Sequence, residues 1–285
     1  MNAIAEAAPV DLASSAVEAT NCRLCGAGMQ AVFRKVLLEH HDVQFYQCTH
    51  CRAMQTEQPY WLAEAYVPQN ERFDTGQVTR SLINAAFVAT LLKAADIGRA
   101  RVVDYGCGSG LCVRSLRDAG IDAWGYDRYA EPRLALAYQT DDYRGFDVLN
   151  MCEVMEHFDQ PRQALDDIFS SDPLLVVVQT GIMDQPDPDW GYLAPDHGQH
   201  IFFLTPTTVN WISGHYERFV LSVMGFQVFI AKRLALRLLD PATGRLRAEH
   251  EAMFQSCIGD LWQSMFARPY LHASNDLAAL RQHHG

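Results

Sequence analysis

The segment RVVDYGCGSG at residues 101–110 constrains this chain more than any other. A short β-branched run reaches Asp104, glycines follow at 106, 108 and 110, and the helix-like LCVRSLRDAG closes at Gly120. Strand, glycine-rich turn and helix in this order open a doubly wound α/β sheet. Glycine is needed because the backbone turns sharply there and comes close to a ligand. The dinucleotide fingerprint sets its last glycine at the sixth position of such a turn, to pack a pyrophosphate against a helix N-terminus. Counting from Gly106, that position is Leu111, which disfavours a nicotinamide oxidoreductase.

The spacing D-x-G-x-G-x-G instead resembles the first motif of class I S-adenosylmethionine-dependent methyltransferases. IDAWGYD (121–127) reads as a second strand ending in Asp127, and FDVLNMCEVMEHFDQP (146–161) resembles the family's fourth-strand segment running into Glu-x-x-Glu-His. The resemblance covers roughly residues 76–231. It implies a Rossmann-like α/β fold, doubly wound, with a mainly parallel seven-stranded sheet. It also implies S-adenosylmethionine held by Asp104, Gly106, Cys107, Gly108 and Gly110, with Asp127 on the ribose hydroxyls and Cys152 and Glu153 near the methionine moiety. One departure stands out. Only 19 residues (128–146) separate Asp127 from Asp147, where the family fits a helix and a third strand. LALAYQ (134–139) is the expected strand remnant, and Asp141 and Asp142 are candidates for the adenine contact.

Four of the eight cysteines form CRLC and CTHC, Cys22 with Cys25 and Cys48 with Cys51, 22 residues apart. In a cytosolic chain such steps point to metal more than to disulfides. Two thiolates from each turn complete a tetrahedral structural zinc site. The intervening AVFRKVLL and DVQFYQC read as the two strands of a zinc ribbon, and His50 is a substitute ligand that four thiolates leave unnecessary. A redox pair or buried free thiols are the plainer readings. The other four cysteines sit singly among apolar residues, as small buried hydrophobes do.

DPLLVVVQT (172–180) reads as a fully buried fifth strand, after a helix starting near Pro161. A long irregular insertion rich in proline, glycine and aromatics follows, placed where ligands bind beyond strand C-termini. Thr205-Pro206 reads as a helix start, and residues 217–233 as an antiparallel hairpin turning at Met224-Gly225. DHGQHIFFLTP resembles a segment common in methyltransferases of small molecules and sugars. The whole arrangement resembles a bacterial subgroup that pairs a four-cysteine module with this core in surface-polysaccharide or modified-sugar pathways. A base is needed only for a hydroxyl or carbon-acid acceptor. His200 is the first choice, then His197 and His157, since imidazole titrates near working pH. Alternatively a histidine beside Asp196 or Glu156 anchors a loop.

Ahead of the core, PYWLAEAY and FDTGQVTR lead into a helix through about Ala95, capped by Asp74 or Thr75, with Leu82, Ala86, Leu91 and Ala95 on one face. The family folds such segments over the cofactor, which makes Tyr66 and Arg80 contacts, Arg80 to the methionine carboxylate; hinge packing is the equal alternative. The expected division is a flexible leader (1–20), zinc ribbon (21–58), linker and lid helix (59–98), methyltransferase core (99–232) and a C-terminal helical extension (233–285) that offers a homodimer contact. The first twenty residues lack the basic start and apolar core of an export signal, and no apolar run is long enough to cross a bilayer, so a cytoplasmic protein is expected. A net charge of −11 disfavours nucleic acid. The N-terminal sixty residues, with four Lys/Arg against six Asp/Glu, have the wrong sign for a clamp. The leading reading is therefore methyl transfer to a small, sugar-like molecule. An RNA methyltransferase with the ribbon as clamp and a catalytically silent scaffold are the alternatives.

Overall fold

The computed structural model describes residues 21–66 and 75–259. The expected leader, Asp74 and the chain beyond 259 lie outside them. The first elements are β1 (Met29–Leu37), β2 (His41–Cys48), β3 (Met54–Thr56), α1 (Leu62–Ala65) and α2 (Gln77–Ala94). Then come β4 (Val102–Tyr105), α3 (Leu111–Asp118), β5 (Ala123–Tyr126), β6 (Val148–Cys152), α4 (Pro161–Ser170) and β7 (Leu175–Gln179). The last part holds β8 (Phe202–Phe203), α5 (Pro206–His215), β9 (Phe219–Val223), β10 (Phe226–Ile230), α6 (Lys232–Leu238) and α7 (Ala248–Phe254).

The central sheet runs β5-β4-β6-β7-β10-β9, parallel through β7 and antiparallel in the closing hairpin. Its middle strands are near-continuous apolar runs because both faces are covered. Alternate residues divide between the two cores. Val102, Val148, Leu175 and Val177 pack under α2, α3, α6 and α7. Val103, Leu149, Val176 and Val178 pack under α4, α5 and the cysteine cluster. Phe87 of α2 lies flat on Phe226 of β10, ring centroids 3.7 Å apart, which fixes that helix on the sheet.

Three expectations are corrected. The sheet has six strands rather than seven among the described residues: 134–139 supplies only an isolated bridge, Gln139 to Gly125, because 19 residues leave no room for a helix and a strand. The N-cap of α2 is Gly76, with no side-chain cap, so Thr75 does not cap it. And α2 is buried almost all round, by Ile83, Phe87, Val88, Leu91 and Leu92 among others, while Leu82 and Ala86 are only half-buried. The helix is sandwiched between the sheet and α7, which removes the one-sided stripe of a surface helix.

The strands expected around the cysteine steps form as β1 and β2, but they do not make a separate ribbon. Their sheet runs β1-β2-β3-β8, so its last strand comes from the insertion after β7. Turns read from sequence hold elsewhere: Pro161 opens α4, Thr205 caps α5 in a reciprocal capping box with Thr208, and Met224-Gly225 (φ 52° and 84°) makes the two-residue hairpin turn. No described helix is long and apolar enough to cross a membrane.

Candidate active site

The glycine turn joins β4 to α3 with Gly106, Gly108 and Gly110 all left-handed, at φ 76°, 51° and 81°. The three glycines serve different ends. A Cβ on Gly106 would lie 2.7 Å from the Val154 side chain, and one on Gly110 would lie 2.5 Å from the Leu134 carbonyl oxygen. A Cβ on Gly108 would meet nothing within 4 Å, so the backbone there faces open space. The Gly108 amide donates to Asp127 Oδ2 at 2.9 Å, while Oδ1 accepts from the Tyr129 and Ala130 amides. The carboxylate is thus held at the end of β5, against the open side of the turn. An ionised carboxylate offers about four lone-pair sites, so capacity remains for a further donor.

Asp104 faces inward instead. Its Oδ1 accepts from Asn150 Nδ2 at 2.8 Å, and the same amide donates to Asn84 Oδ1 of α2 at 2.8 Å. Asn84 in turn donates to Gln179 Oε1, which also accepts from the Cys152 thiol. This buried chain ties α2 to the C-terminal ends of β4, β6 and β7, and it gives Asp104 and Cys152 a bracing role under the turn. Cys107 is buried too, its thiol on Gln139. Burial pushes the Asp104 carboxyl up to about 7 despite the Asn150 hydrogen bond. The folded state therefore holds a proton that the unfolded chain, titrating near 4, has lost. Stability is expected to fall as pH rises from about 4 to 7, by at most about 1.4 kcal/mol per unit from this group. Asp104→Asn should flatten that slope in denaturant titrations run across the range; an unchanged slope would place the effect elsewhere.

Beyond β6 the chain enters a strained corner. Glu153 is left-handed at φ 57°, a conformation unfavourable for a non-glycine residue, and its amide donates to the Gln179 carbonyl at 2.8 Å. Burial, then the Glu156 charge, push its carboxyl up to about 7, against the pull of Arg80. Glu156 is fully buried: Oε2 accepts from Thr180 Oγ1 and Oε1 from the Tyr192 hydroxyl, both at 2.8 Å. Its backbone carbonyl takes the Ile201 amide, which docks the insertion on the core. Burial raises its carboxyl above the ordinary range, and the two hydroxyls oppose that.

The three histidines and the two pre-core residues meet over this corner. His200 Nδ1 lies 2.6 Å from the Tyr192 carbonyl oxygen, so Nδ1 carries a proton and donates to it. The His157 ring lies 5.1 Å from that of His200, and its Nδ1 is 3.1 Å from the Tyr66 hydroxyl. Burial, reinforced by the charges of His200, His197 and Arg80, holds His157 well below the ordinary imidazole value, so it stays neutral. His197 is half-buried, its amide on the Ala194 carbonyl. Arg80 acts electrostatically on Glu153, Glu156 and His157, which puts its guanidinium beside this corner. Asp141 and Asp142 are exposed, and Asp142 accepts from the Arg144 amide within its own turn.

Tyr192, Thr180, Asn84 and Gln179 were not singled out from sequence. Asn150 had a visible signal, a polar residue in the middle of the buried strand VLNMC. Tyr192 had none, because nothing in an irregular insertion says which ring turns inward.

The four cysteine sulfurs converge at the other end of the ribbon sheet. Their ligand atoms all lie within 4.8 Å of one another, with Cys22–Cys51 at 3.6 Å and Cys25–Cys48 at 3.4 Å. The His50 and Cys51 amides donate to the Cys48 sulfur, as metal knuckles do for a thiolate. His50 itself is exposed and outside the cluster.

Residues 77–216 match the family model of a methyltransferase domain. Residues 77–216 thus form a methyltransferase domain. The matched span of this methyltransferase runs from α2 through α5 and so includes the glycine turn, Asp127, the Glu-x-x-Glu-His corner and His200. No curated protein matches the chain. Among solved structures it is similar to the methyltransferase domain of bacterial CtHen1-CN, at 21% identity over 53% of this chain and 100% of that one, TM-score 0.38. It is also similar to magnesium protoporphyrin IX methyltransferase from Synechocystis with bound SAH, at 15% identity over 54% and 84%, TM-score 0.41. A third is the mitomycin 7-O-methyltransferase MmcR, at 19% identity over 52% of each chain, TM-score 0.37. The acceptors named for these proteins differ from one another, so none passes to this enzyme.

Proposed function

We propose that this methyltransferase acts on a hydroxyl of a small polar molecule, with a nucleotide-linked or glycan sugar as the class to test first. The observation that carries this reading is the placement of His200: its Nδ1 is anchored on the Tyr192 carbonyl and its ring lies 5.1 Å from His157, beside the Glu156, Thr180 and Tyr192 network. When bound, S-adenosylmethionine supplies a methyl group on a sulfonium that any well-placed nucleophile displaces in line. The open space over Gly108 and the fixed carboxylate of Asp127 fit that cofactor. The protein's share is then alignment, for which effective molarity accounts for roughly 7–11 kcal/mol of the barrier, together with proton removal at His200 Nε2. Glu156 braces Tyr192, and Tyr192 orients His200, so the base is aimed by two successive hydrogen bonds. His157 offers a polar edge to an acceptor, Tyr66 closes over the cofactor, and the sugar class itself rests on the resemblance of the DHGQH segment.

We also assign the four cysteines to one structural zinc ion. Four thiolates at the roughly 2.3 Å zinc–sulfur distance lie about 3.8 Å apart along a tetrahedron's edges, which the observed separations approach. An RNA acceptor is disfavoured by where this cluster packs. Cys22, Cys48 and Cys51 are buried among Leu149, Met151, Phe202 and Ile212, so the metal knuckles face the enzyme's own core and not an incoming strand. The deciding experiment incubates the protein with methyl-labelled cofactor and separate panels of sugar nucleotides and small RNAs, and locates the label by mass spectrometry. Label on a sugar hydroxyl is the expected outcome, and label on RNA alone would overturn the reading.

A further inference from the structure

His40, His41 and Glu64 form a second ligand cluster, remote in sequence from the four cysteines and apart from the histidines of the active site. Their ligand atoms lie within 4.8 Å of one another. Neighbouring residues on a strand point to opposite faces, yet here both imidazoles reach the same carboxylate oxygen. His40 Nε2 is 3.3 Å and His41 Nε2 3.0 Å from Glu64 Oε2, with the rings 4.1 Å apart. The turn between β1 and β2 brings this about. Leu38 (φ 49°) and Glu39 (φ 66°) are successive non-glycine residues in the left-handed region, which is unfavourable and persists only where surroundings enforce it. Those surroundings are on the insertion: the Leu38 amide donates to the Pro195 carbonyl, and its side chain fills the space over Gly198. On the other side the His41 ring is flanked by Tyr60 and Trp61, at 5.3 Å and 6.3 Å. The His41 ring is therefore aimed before any ligand arrives, and the exposed His40 ring lies beside it.

We infer that His40, His41 and Glu64 bind a divalent cation of the zinc type, through two imidazole nitrogens and one carboxylate oxygen. Imidazole with carboxylate is the donor set such ions take, and four-coordination leaves one position to water. The site is half open to solvent, so its ion exchanges, in contrast to one sealed among four thiolates. Its ligands come from two elements, the β1–β2 turn and α1, and the ion clamps one to the other. On its far side α1 is already tied to the insertion, by Trp61 Nε1 to the Gly198 carbonyl at 2.7 Å and Gln199 Nε2 to the Ala65 carbonyl at 2.8 Å. The residue that follows α1 is Tyr66, whose hydroxyl meets His157. The ion thus acts on the active site from outside, by fixing the segment that carries Tyr66; this last step rests on the proposed active site, whereas metal binding does not.

The test uses the full-length chain, loaded with zinc and desalted, and Glu64→Gln, an exposed and nearly isosteric change. Elemental analysis should find two zinc ions per wild-type chain and one in Glu64→Gln and in His41→Ala. Cobalt added to wild type from which a chelator has removed only the exchangeable zinc should give weak ligand-field bands without a thiolate charge-transfer band, and none of this in Glu64→Gln. A thiolate band would report a vacant cysteine site instead, which separates the two metal assignments. Calorimetry should show zinc tightening S-adenosylmethionine binding two- to fivefold in wild type and leaving Glu64→Gln unchanged. Equal zinc content in wild type and Glu64→Gln would overturn the site, and equal tightening in both would overturn the link through Tyr66.

Discussion

His200→Ala is expected to lower kcat by about 10²–10⁴-fold, the range for loss of a positioned general base, with S-adenosylmethionine affinity kept within about twofold. The proposed cofactor site, the Gly108 turn and Asp127, does not include His200, so binding should survive. Alanine also removes the Nδ1 anchor to Tyr192, so loss of activity alone does not separate base from brace. Asparagine does separate them. Its side-chain N–H stands where Nδ1 does and restores the bond to the Tyr192 carbonyl, but it has no basic Nε2. His200→Asn should therefore be as slow as His200→Ala in single-turnover transfer. Recovery of more than a tenth of wild-type kcat in the asparagine variant would assign His200 to holding the loop. Tyr192→Phe is the milder companion, since it leaves the carbonyl in place and removes only the hydroxyl on Glu156.

The second large effect is on stability. Cys48→Ser should release the metal and lower the thermal midpoint by ten degrees or more. Structural zinc contributes on the order of 10–16 kcal/mol of apparent binding free energy in small zinc modules, which becomes folding free energy. Here the loss spreads, because Cys48 ends β2, β2 pairs with β3, and β3 pairs with β8 of the insertion. The Thr208 hydroxyl on the Cys51 carbonyl adds a direct tie from α5 to the same knuckle. Limited proteolysis should accordingly cut the variant within residues 181–205 faster than the parent. A Cys48→Ser protein that keeps its metal and melts within about two degrees of wild type would exclude a four-thiolate structural site.

Much of the cofactor half was legible in the chain, for local reasons. Gly106, Gly108 and Gly110 are needed by a backbone that is left-handed three times within five residues, and that need is written in composition. The knuckle cysteines, Pro161, Thr205 and Met224-Gly225 are equally local signals of turns and caps. Strands β4 and β7, VVDY and LVVVQ, follow from their β-branched runs. Where reading went astray, the deciding contact was distant. The face of α2 could not be told from its own residues, since α7 and the sheet bury it from both sides. The third strand shrank to one bridge at Gln139 because the connection was too short, a fact of length that periodicity does not show.

The acceptor side depended on the tertiary structure to a greater degree. Glu156 could be named from Glu-x-x-Glu-His, but its bracing by Thr180 and Tyr192 joins residues 24 and 36 positions apart. The sheet of the cysteine module is closed by β8 of the insertion pairing with β3, although 145 residues lie between Thr56 and Phe202, so it joins the core in space rather than in sequence. Sequence by itself determined what depends on neighbours within a few residues: the glycine turn, the acid at the end of β5, the two cysteine knuckles. Only the tertiary structure decided the anchoring of His200 on the Tyr192 carbonyl, the buried place of Asp104 and the meeting of Tyr66 with His157. Each of these depends on which groups exclude water together, and that is settled by packing between segments that know nothing of one another until the chain has folded.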